Sequence, residues 1–222
     1  MNIPENLRKL QSDIPDHVSI VAVSKRKPVE DILNAYNAGQ RVFGENRVQE
    51  LTEKQPLLPD DIKWHMVGHL QTNKVKYLAG FVDLIESADS LKLLQAIDRE
   101  ALKVGRKISC LLQVHIASEE SKFGLSGDEV IELAGSSEFQ SLNNIRVCGV
   151  MGMGTFTSDM EKVRSEFRYL QGVFQKLKED YFSSDPDFRE ISMGMSGDYS
   201  VAIEEGSTMV RLGTVIFGAR NY

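Results

Sequence analysis

Cysteine and histidine are scarce in this chain of 222 residues, with two of the first and four of the second. The cysteines, Cys110 and Cys148, lie inside apolar runs; a single pair cannot build a disulfide framework, and both read as reduced core thiols of a cytoplasmic protein. No stretch approaches the roughly 20 apolar residues of a membrane span. The opening Met1-Asn2-Ile3-Pro4-Glu5-Asn6 lacks the basic region and apolar core of an export signal. Basic runs are missing too, and a net charge of −6 offers no field for polyanions, so neither membrane nor nucleic acid is expected as a partner. His65 and His69 are four apart, but on a strand and its loop they share no helical face, and no cysteine is near. A metal site is set aside.

What the chain does have is a recurrence of short apolar runs. They are Ile20 to Ser24, Val42 to Gly44, Ile62 to Val67, Leu84 to Glu86, Cys110 to Ile116, Val147 to Met153, Ile191 to Met195 and Val210 to Gly218. Several are continuous and β-branched, as strands buried on both faces should be. Between them lie stretches of helical period, such as Ser90 to Val104 and Ser158 to Tyr181, and Pro28-Val29-Glu30-Asp31 reads as a helix start. Strand-helix alternation predicts a parallel sheet. Eight strands at this length predict a single domain over 1–222, an α/β (β/α)8 barrel with an extra N-terminal helix over Pro4 to Ile14; an open doubly wound sheet is the alternative.

In a barrel, chemistry belongs at the C-terminal ends of the strands. Val21-Ala22-Val23-Ser24 runs straight into Lys25 there. A lysine at that place either snorkels to solvent or is a desolvated amine of lowered pKa, able to condense with an aldehyde. Ser192-Met193-Gly194-Met195-Ser196-Gly197-Asp198 precedes a predicted helix, Tyr199 to Glu205, and Gly213-Thr214 follows the eighth strand. Small residues, hydroxyls and a helix start after strands seven and eight suit a phosphate, although the same residues also make plain turns. Lysine plus phosphate cradle points to pyridoxal phosphate. Arg211, between Val210 and Leu212, must find an acceptor, either a carboxylate such as Glu190 or Asp198 or the pyridine nitrogen of the cofactor. Asn46 is placed to contact a ligand at the mouth, His65 is read as a neutral side chain hydrogen-bonded inside the barrel, and Glu119-Glu120-Ser121-Lys122-Phe123-Gly124 as a solvated loop able to close over the mouth.

Together these segments resemble the pyridoxal phosphate homeostasis protein family, small barrels related to the N-terminal domain of alanine racemase. The resemblance rests on Val21 to Lys25, Phe43-Gly44-Glu45-Asn46, Trp64 to Lys74, Ser121-Lys122-Phe123-Gly124, Ser192 to Asp198 and, most specifically, Gly206 to Arg220. It implies a barrel of the pyridoxal phosphate fold type III kind and an internal aldimine on Lys25. It also implies phosphate contacts from Ser192, Ser196, Gly213 and Thr214, and Arg211 facing the pyridine nitrogen. After the sixth strand the family commonly reads Gly-Leu-Met-Thr, whereas this chain has Gly149-Val150-Met151-Gly152-Met153-Gly154-Thr155, so contacts from Met151 and Thr155 carry over less directly.

Two functions follow from the resemblance. One is a carrier that buffers pyridoxal phosphate and delivers it to apo enzymes, acting as a monomer with little or no catalysis. The other is an amino-acid racemase, which needs an acid-base group on each face of its substrate, one of them usually a tyrosine from an additional domain. That domain is not found in this sequence, and of the tyrosines only Tyr199 is near a strand end. The carrier is the expectation.

Overall fold

Eight strands pair in parallel, each with the next and the last with the first, in a computed structural model that describes residues 2–118 and 123–218. They are β1 (Ser19–Val23), β2 (Val42–Glu45), β3 (Lys63–Met66), β4 (Leu84–Ala88), β5 (Ile108–Val114), β6 (Ile145–Gly152), β7 (Glu190–Met195) and β8 (Met209–Leu212). The pairing of Ser19 with Met209 through Ala22 with Leu212 closes the ring, which rules out the open sheet. The two shortest predicted strands, at Val42 and Leu84, both form.

Helices wrap this ring: α1 (Ile3–Asp13), α2 (Val29–Asn37), α3 (Val48–Lys54), α4 (Leu91–Lys103), α5 (Gly127–Gly135), α6 (Ser137–Gln140), α7 (Met160–Asp180), α8 (Tyr199–Glu204) and α9 (Thr214–Phe217). Their starts are written locally. Ser90 caps α4 through Leu93 N, Asp159 caps α7 through Lys162 N, and Ser126 with Glu129 forms a reciprocal capping box on α5. No helix among the described residues is long and apolar enough to cross a membrane.

The period of two along each strand sorts side chains between two cores. Val21, Leu84, Leu111, Met151 and Met209 pack together inside the ring. Ala22, Phe43, Trp64, Ile85 and Val210 belong to the larger core between strands and helices. Cys110 is in that outer core, where burial pushes its thiol pKa up, while Cys148 is half-buried; neither is in a disulfide.

The sequence reading departs from the structure at the eighth strand. The run from Val210 to Gly218 is not one strand: it pairs only through Leu212, and Thr214–Phe217 turns into α9. The apolar Ile216 and Phe217 that suggested a strand are buried by the helix, whose Ile216 carbonyl accepts from Asn6 Nδ2 of α1 at 3.0 Å.

Glycine is required at 149, where β6 shifts register against β5. Its φ is +150°, and a Cβ there would stand 1.8 Å from the Glu190 carbonyl oxygen on β7. Gly149→Ala should therefore cost at least the upper end of the about 1–3 kcal/mol typical of over-packing. Urea unfolding would show it as a lowered midpoint, and an unchanged midpoint would contradict the close approach.

Candidate functional site

At the C-terminal ends of the strands lies a cavity of about 560 Å³, within the range of small-molecule sites. Six of the eight predicted site residues line it: Lys25, Asn46, Ser196, Arg211, Gly213 and Thr214. Strand parity brings them there. Val21 and Val23 face the barrel axis from β1, so two residues further on Lys25 does too, half-buried at the cavity edge.

One end of the cavity is rich in small polar groups. Ser196 and Gly197 follow β7, and Gly213 and Thr214 follow β8; the Gly213 N–H donates to Ser196 Oγ at 3.3 Å and ties the two loops together. Asp198 Oδ1 holds the first of these loops by accepting from Met195 N at 2.5 Å. A Cβ at Gly197 would meet nothing within 4 Å, whereas one at Gly213 would come 3.3 Å from the Val23 carbonyl oxygen. Thr214 and Val215 begin α9, and the first N–H groups of a helix have no acceptor within it. The sequence reading missed a cation here. Neither loop carries a basic residue, but Lys27, from the loop after β1, lines the cavity and donates to the Phe217 carbonyl at 2.8 Å. Its parity with Lys25 was the available signal.

The floor is Arg211, almost fully buried inside the ring. Its Nη1 donates to Ser192 Oγ at 2.5 Å and its Nη2 to the Gly152 carbonyl at 2.8 Å. Ser192 Oγ in turn donates to Glu86 Oε2 at 2.6 Å, and His65 Nδ1 lies 2.8 Å from Glu86 Oε1. The carboxylate paired with Arg211 is thus Glu86 of β4, 3.7 Å away, and neither Glu190 nor Asp198 as expected. Glu190 is taken up by Thr208 and Arg189, and Asp198 acts on Arg211 as a second negative charge. Burial raises the Glu86 pKa, but the His65 hydrogen bond and charge, then Arg211 and Ser192, outweigh it and hold the carboxyl below the ordinary range. Burial likewise lowers Arg211, opposed by Glu86.

Two predicted site residues lie under the floor. Ser192 has its hydroxyl committed to Glu86 and Arg211, and it is fully buried, so it anchors the guanidinium and does not reach the cavity. Met151 packs with Val21 and Leu111 in the inner apolar layer; two residues along, Met153 lines the cavity instead. Thr155 also lines it and is clamped by Glu166 of α7, which accepts from Thr155 N at 2.7 Å and from its hydroxyl at 2.5 Å. Sequence reasoning gave no hint of that clamp. Of the loop Glu119 to Gly124, read as solvated and able to close over the mouth, Glu119 to Lys122 lie outside the described residues, while the Phe123 ring stacks on His69 with centroids 3.9 Å apart.

This geometry has close counterparts among known proteins. A family model described as alanine racemase, N-terminal domain, matches residues 1–221. Proteins named pyridoxal phosphate homeostasis protein align over most or all of the chain. The one from Aquifex aeolicus is 42% identical over 91% of this chain and 87% of its own length, and the human one 37% over 91% and 77%. The chain belongs to the pyridoxal phosphate homeostasis protein family. Among solved structures, PipY of Synechococcus elongatus PCC7942 with PLP bound superposes with a TM-score of 0.86 at 34% identity, covering 97% of this chain and 100% of that one. Alanine racemase of Clostridium difficile 630 shares the fold, with a TM-score of 0.76 at 14% identity; this chain spans 57% of its length.

Removing the charge of Glu86 leaves Arg211 buried without its carboxylate, a change that typically costs about 3–5 kcal/mol. Glu86→Gln should lower stability by about that much at pH 7, read from urea unfolding. Because the folded pKa of Glu86 is depressed, its contribution is present above the unfolded value of about 4.3 and is lost as pH falls below it. The gap between the unaltered protein and the variant should therefore close on acidification below about pH 4.3. A gap that stayed constant would show that Glu86 is not held ionised.

Proposed function

We propose that this protein binds pyridoxal phosphate at the barrel mouth, holds it covalently on Lys25 and serves as an intracellular carrier that buffers and delivers the cofactor. The observation that carries the reading is the convergence of an amine, a guanidinium and a hydroxyl-rich glycine cradle on one cavity, in a fold that PipY shows with PLP bound. The residues fit the group. Lys25 supplies the amine; Ser196, Gly213 and Thr214, with Lys27 beside them, supply donors and positive charge for a phosphate. Asn46 lines the cavity with its Oδ1 buried and unpartnered among the described residues, an acceptor for a ring hydroxyl. Arg211 has five N–H donors, of which two are assigned above, and it faces the cavity from below as the partner for the ring nitrogen.

When bound, the cofactor supplies an aldehyde that condenses with an amine and a ring whose electron-withdrawing power grows when its nitrogen is protonated. Arg211, a permanent cation, opposes that protonation. The described cavity lining includes no tyrosine or histidine to act as a second acid or base, help worth about 10²–10⁴ in rate. The arginine does not distinguish the two readings, since alanine racemases resemble this chain there; the lack of a second acid or base in the described lining favours holding the cofactor over turning over an amino acid. The racemase reading has the shared fold in its favour and lacks a second acid-base group in the described lining.

The test uses purified protein loaded with pyridoxal phosphate. Its visible absorption band should be lost in Lys25→Ala, and borohydride should fix the cofactor to Lys25 in the unaltered protein only. Mixing the loaded protein with an apo pyridoxal enzyme should restore that enzyme's activity, while alanine in deuterated water should gain no deuterium at its α-carbon. Rapid exchange without any transfer would favour the racemase.

A second measurement addresses the cradle. Gly213→Val places a branched side chain against the Val23 carbonyl and into the cavity. Affinity for pyridoxal phosphate should fall about tenfold or more, about 1.4 kcal/mol, with a much smaller loss for unphosphorylated pyridoxal. Equal losses would move the phosphate elsewhere.

A further inference from the structure

Behind the wall that carries Lys25, on the helix side of β1 and β2, is a second buried charge cluster that the site chemistry does not use. Glu45, fully buried, accepts at Oε1 from Ser24 Oγ at 2.7 Å and from Lys54 Nζ at 2.8 Å. Lys54, itself buried at the end of α3, also donates to Glu50 Oε1 at 2.6 Å and to the Ser24 carbonyl at 2.9 Å. Glu50 Oε1 accepts from the Arg26 backbone N–H at 2.5 Å. Arg26 is the one non-glycine residue among those described with a positive φ, 60°. Glu45 Oε2 has no hydrogen-bond partner among the described residues.

For stability alone this arrangement is expensive. Buried charges cost several kcal/mol each to desolvate, and well-packed apolar residues of similar volume commonly do as well or better. The two hydrogen bonds to backbone explain what the cluster achieves instead. Lys54 pins the carbonyl of residue 24 and Glu50 pins the N–H of residue 26, so the two planar peptide units on either side of the Lys25 Cα are both held by one ion pair. Two fixed peptide planes set both backbone dihedrals of the residue between them, and thereby the direction of its Cα–Cβ bond. The left-handed turn at Arg26 is the strain this fixation maintains.

We infer that Glu45, Lys54 and Glu50 are positioning residues that aim the Lys25 amine into the cavity. The inference rests on the proposed function, since it assigns Lys25 as the group that meets the cofactor's aldehyde. It predicts that disturbing the cluster harms a reaction that needs geometry and spares one that does not.

The experiment compares two aldehydes with the cofactor-free protein in the presence of cyanoborohydride. Condensation at Lys25 Nζ expels one water, and the reagent's hydride then fixes the C–N bond; peptide mass spectrometry counts the label. Pyridoxal phosphate must be seated to react, whereas formaldehyde reaches any exposed amine. In Lys54→Met, labelling of Lys25 by pyridoxal phosphate should slow about tenfold or more, the scale expected of a misplaced group, with formaldehyde labelling little changed. The double variant Glu45→Gln/Lys54→Met removes both charges, so its unfolding midpoint should recover towards that of the unaltered protein while the slow labelling persists. Recovery of labelling together with stability would show a purely structural cluster and overturn the inference, as would unchanged labelling in both variants. If the unaltered protein took no pyridoxal phosphate at Lys25, the cofactor reading itself would fall, and this inference with it.

Discussion

A guanidinium sealed inside a barrel has to be matched by a carboxylate, and the pairing of Arg211 with Glu86 is the constraint on which the site depends. Two charges near 4 Å gain about 4 kcal/mol at an effective dielectric of about 20, and desolvating each costs several kcal/mol, so the pair contributes little net stability. Its effect is geometric. Arg211 comes from β8, Ser192 from β7, Gly152 from β6, Glu86 from β4 and His65 from β3, so one connected network spans five of the eight strands. The register that closes the ring and the orientation of the charge under the cavity are therefore the same fact. A guanidinium held by Ser192 and Gly152 cannot swing away from the floor without leaving two buried acceptors unmatched.

Strand parity extends that logic to the walls. Along β1, Val21, Val23 and Lys25 face the axis while Ala22 and Ser24 face the helices. Along β2 the same alternation sends Asn46 to the cavity and Glu45 to the outer cluster with Lys54. Each strand end thus serves two chemistries at once, one group offered to a ligand and its neighbour used to hold the strand. Ser192 and Ser196 divide the same roles along β7 and its loop, since the first is consumed by Arg211 and Glu86 while the second remains at the cavity.

Parity and strand counting were legible in the sequence; long-range pairing was not. The barrel and the helices read from Ser90 and Ser158 follow from local pattern, because caps and strand ends are written in neighbouring residues, and six of the eight predicted residues line one cavity. The partner of Arg211 lies 125 positions away in the chain, and nothing local distinguishes Glu86 from Glu190 or Asp198. Ser192 was misplaced for a related reason: a serine in a phosphate-like motif looks the same whether its hydroxyl faces a ligand or a buried arginine. Met151 was misplaced because the register shift in β6 alters which residues reach the mouth. At β8 the β-branched Val215 and Ile216 read as strand, yet the pairing with β1 ends at Leu212 and Thr214–Phe217 is helical.

On the proposed reading, what distinguishes a carrier from a catalyst is what the cavity does not place around Lys25. Two-base racemisation of an amino acid requires groups that accept and return a proton on opposite faces of the reacting carbon. The titratable side chains in the described lining are Lys25, Lys27, Asp198 and Arg211. Lys27 is bonded to the Phe217 carbonyl, Asp198 to the Met195 N–H, and Arg211 to the floor network. Three of the four therefore help to shape the site, and the fourth, Lys25, is the amine that the proposed reading assigns to the cofactor's aldehyde. An open rim, with Thr214 and Phe156 both exposed, gives water and incoming amines a path to it. A single reactive amine reached from solvent can accept and release an aldehyde reversibly, and reversible attachment is what a carrier needs from its site.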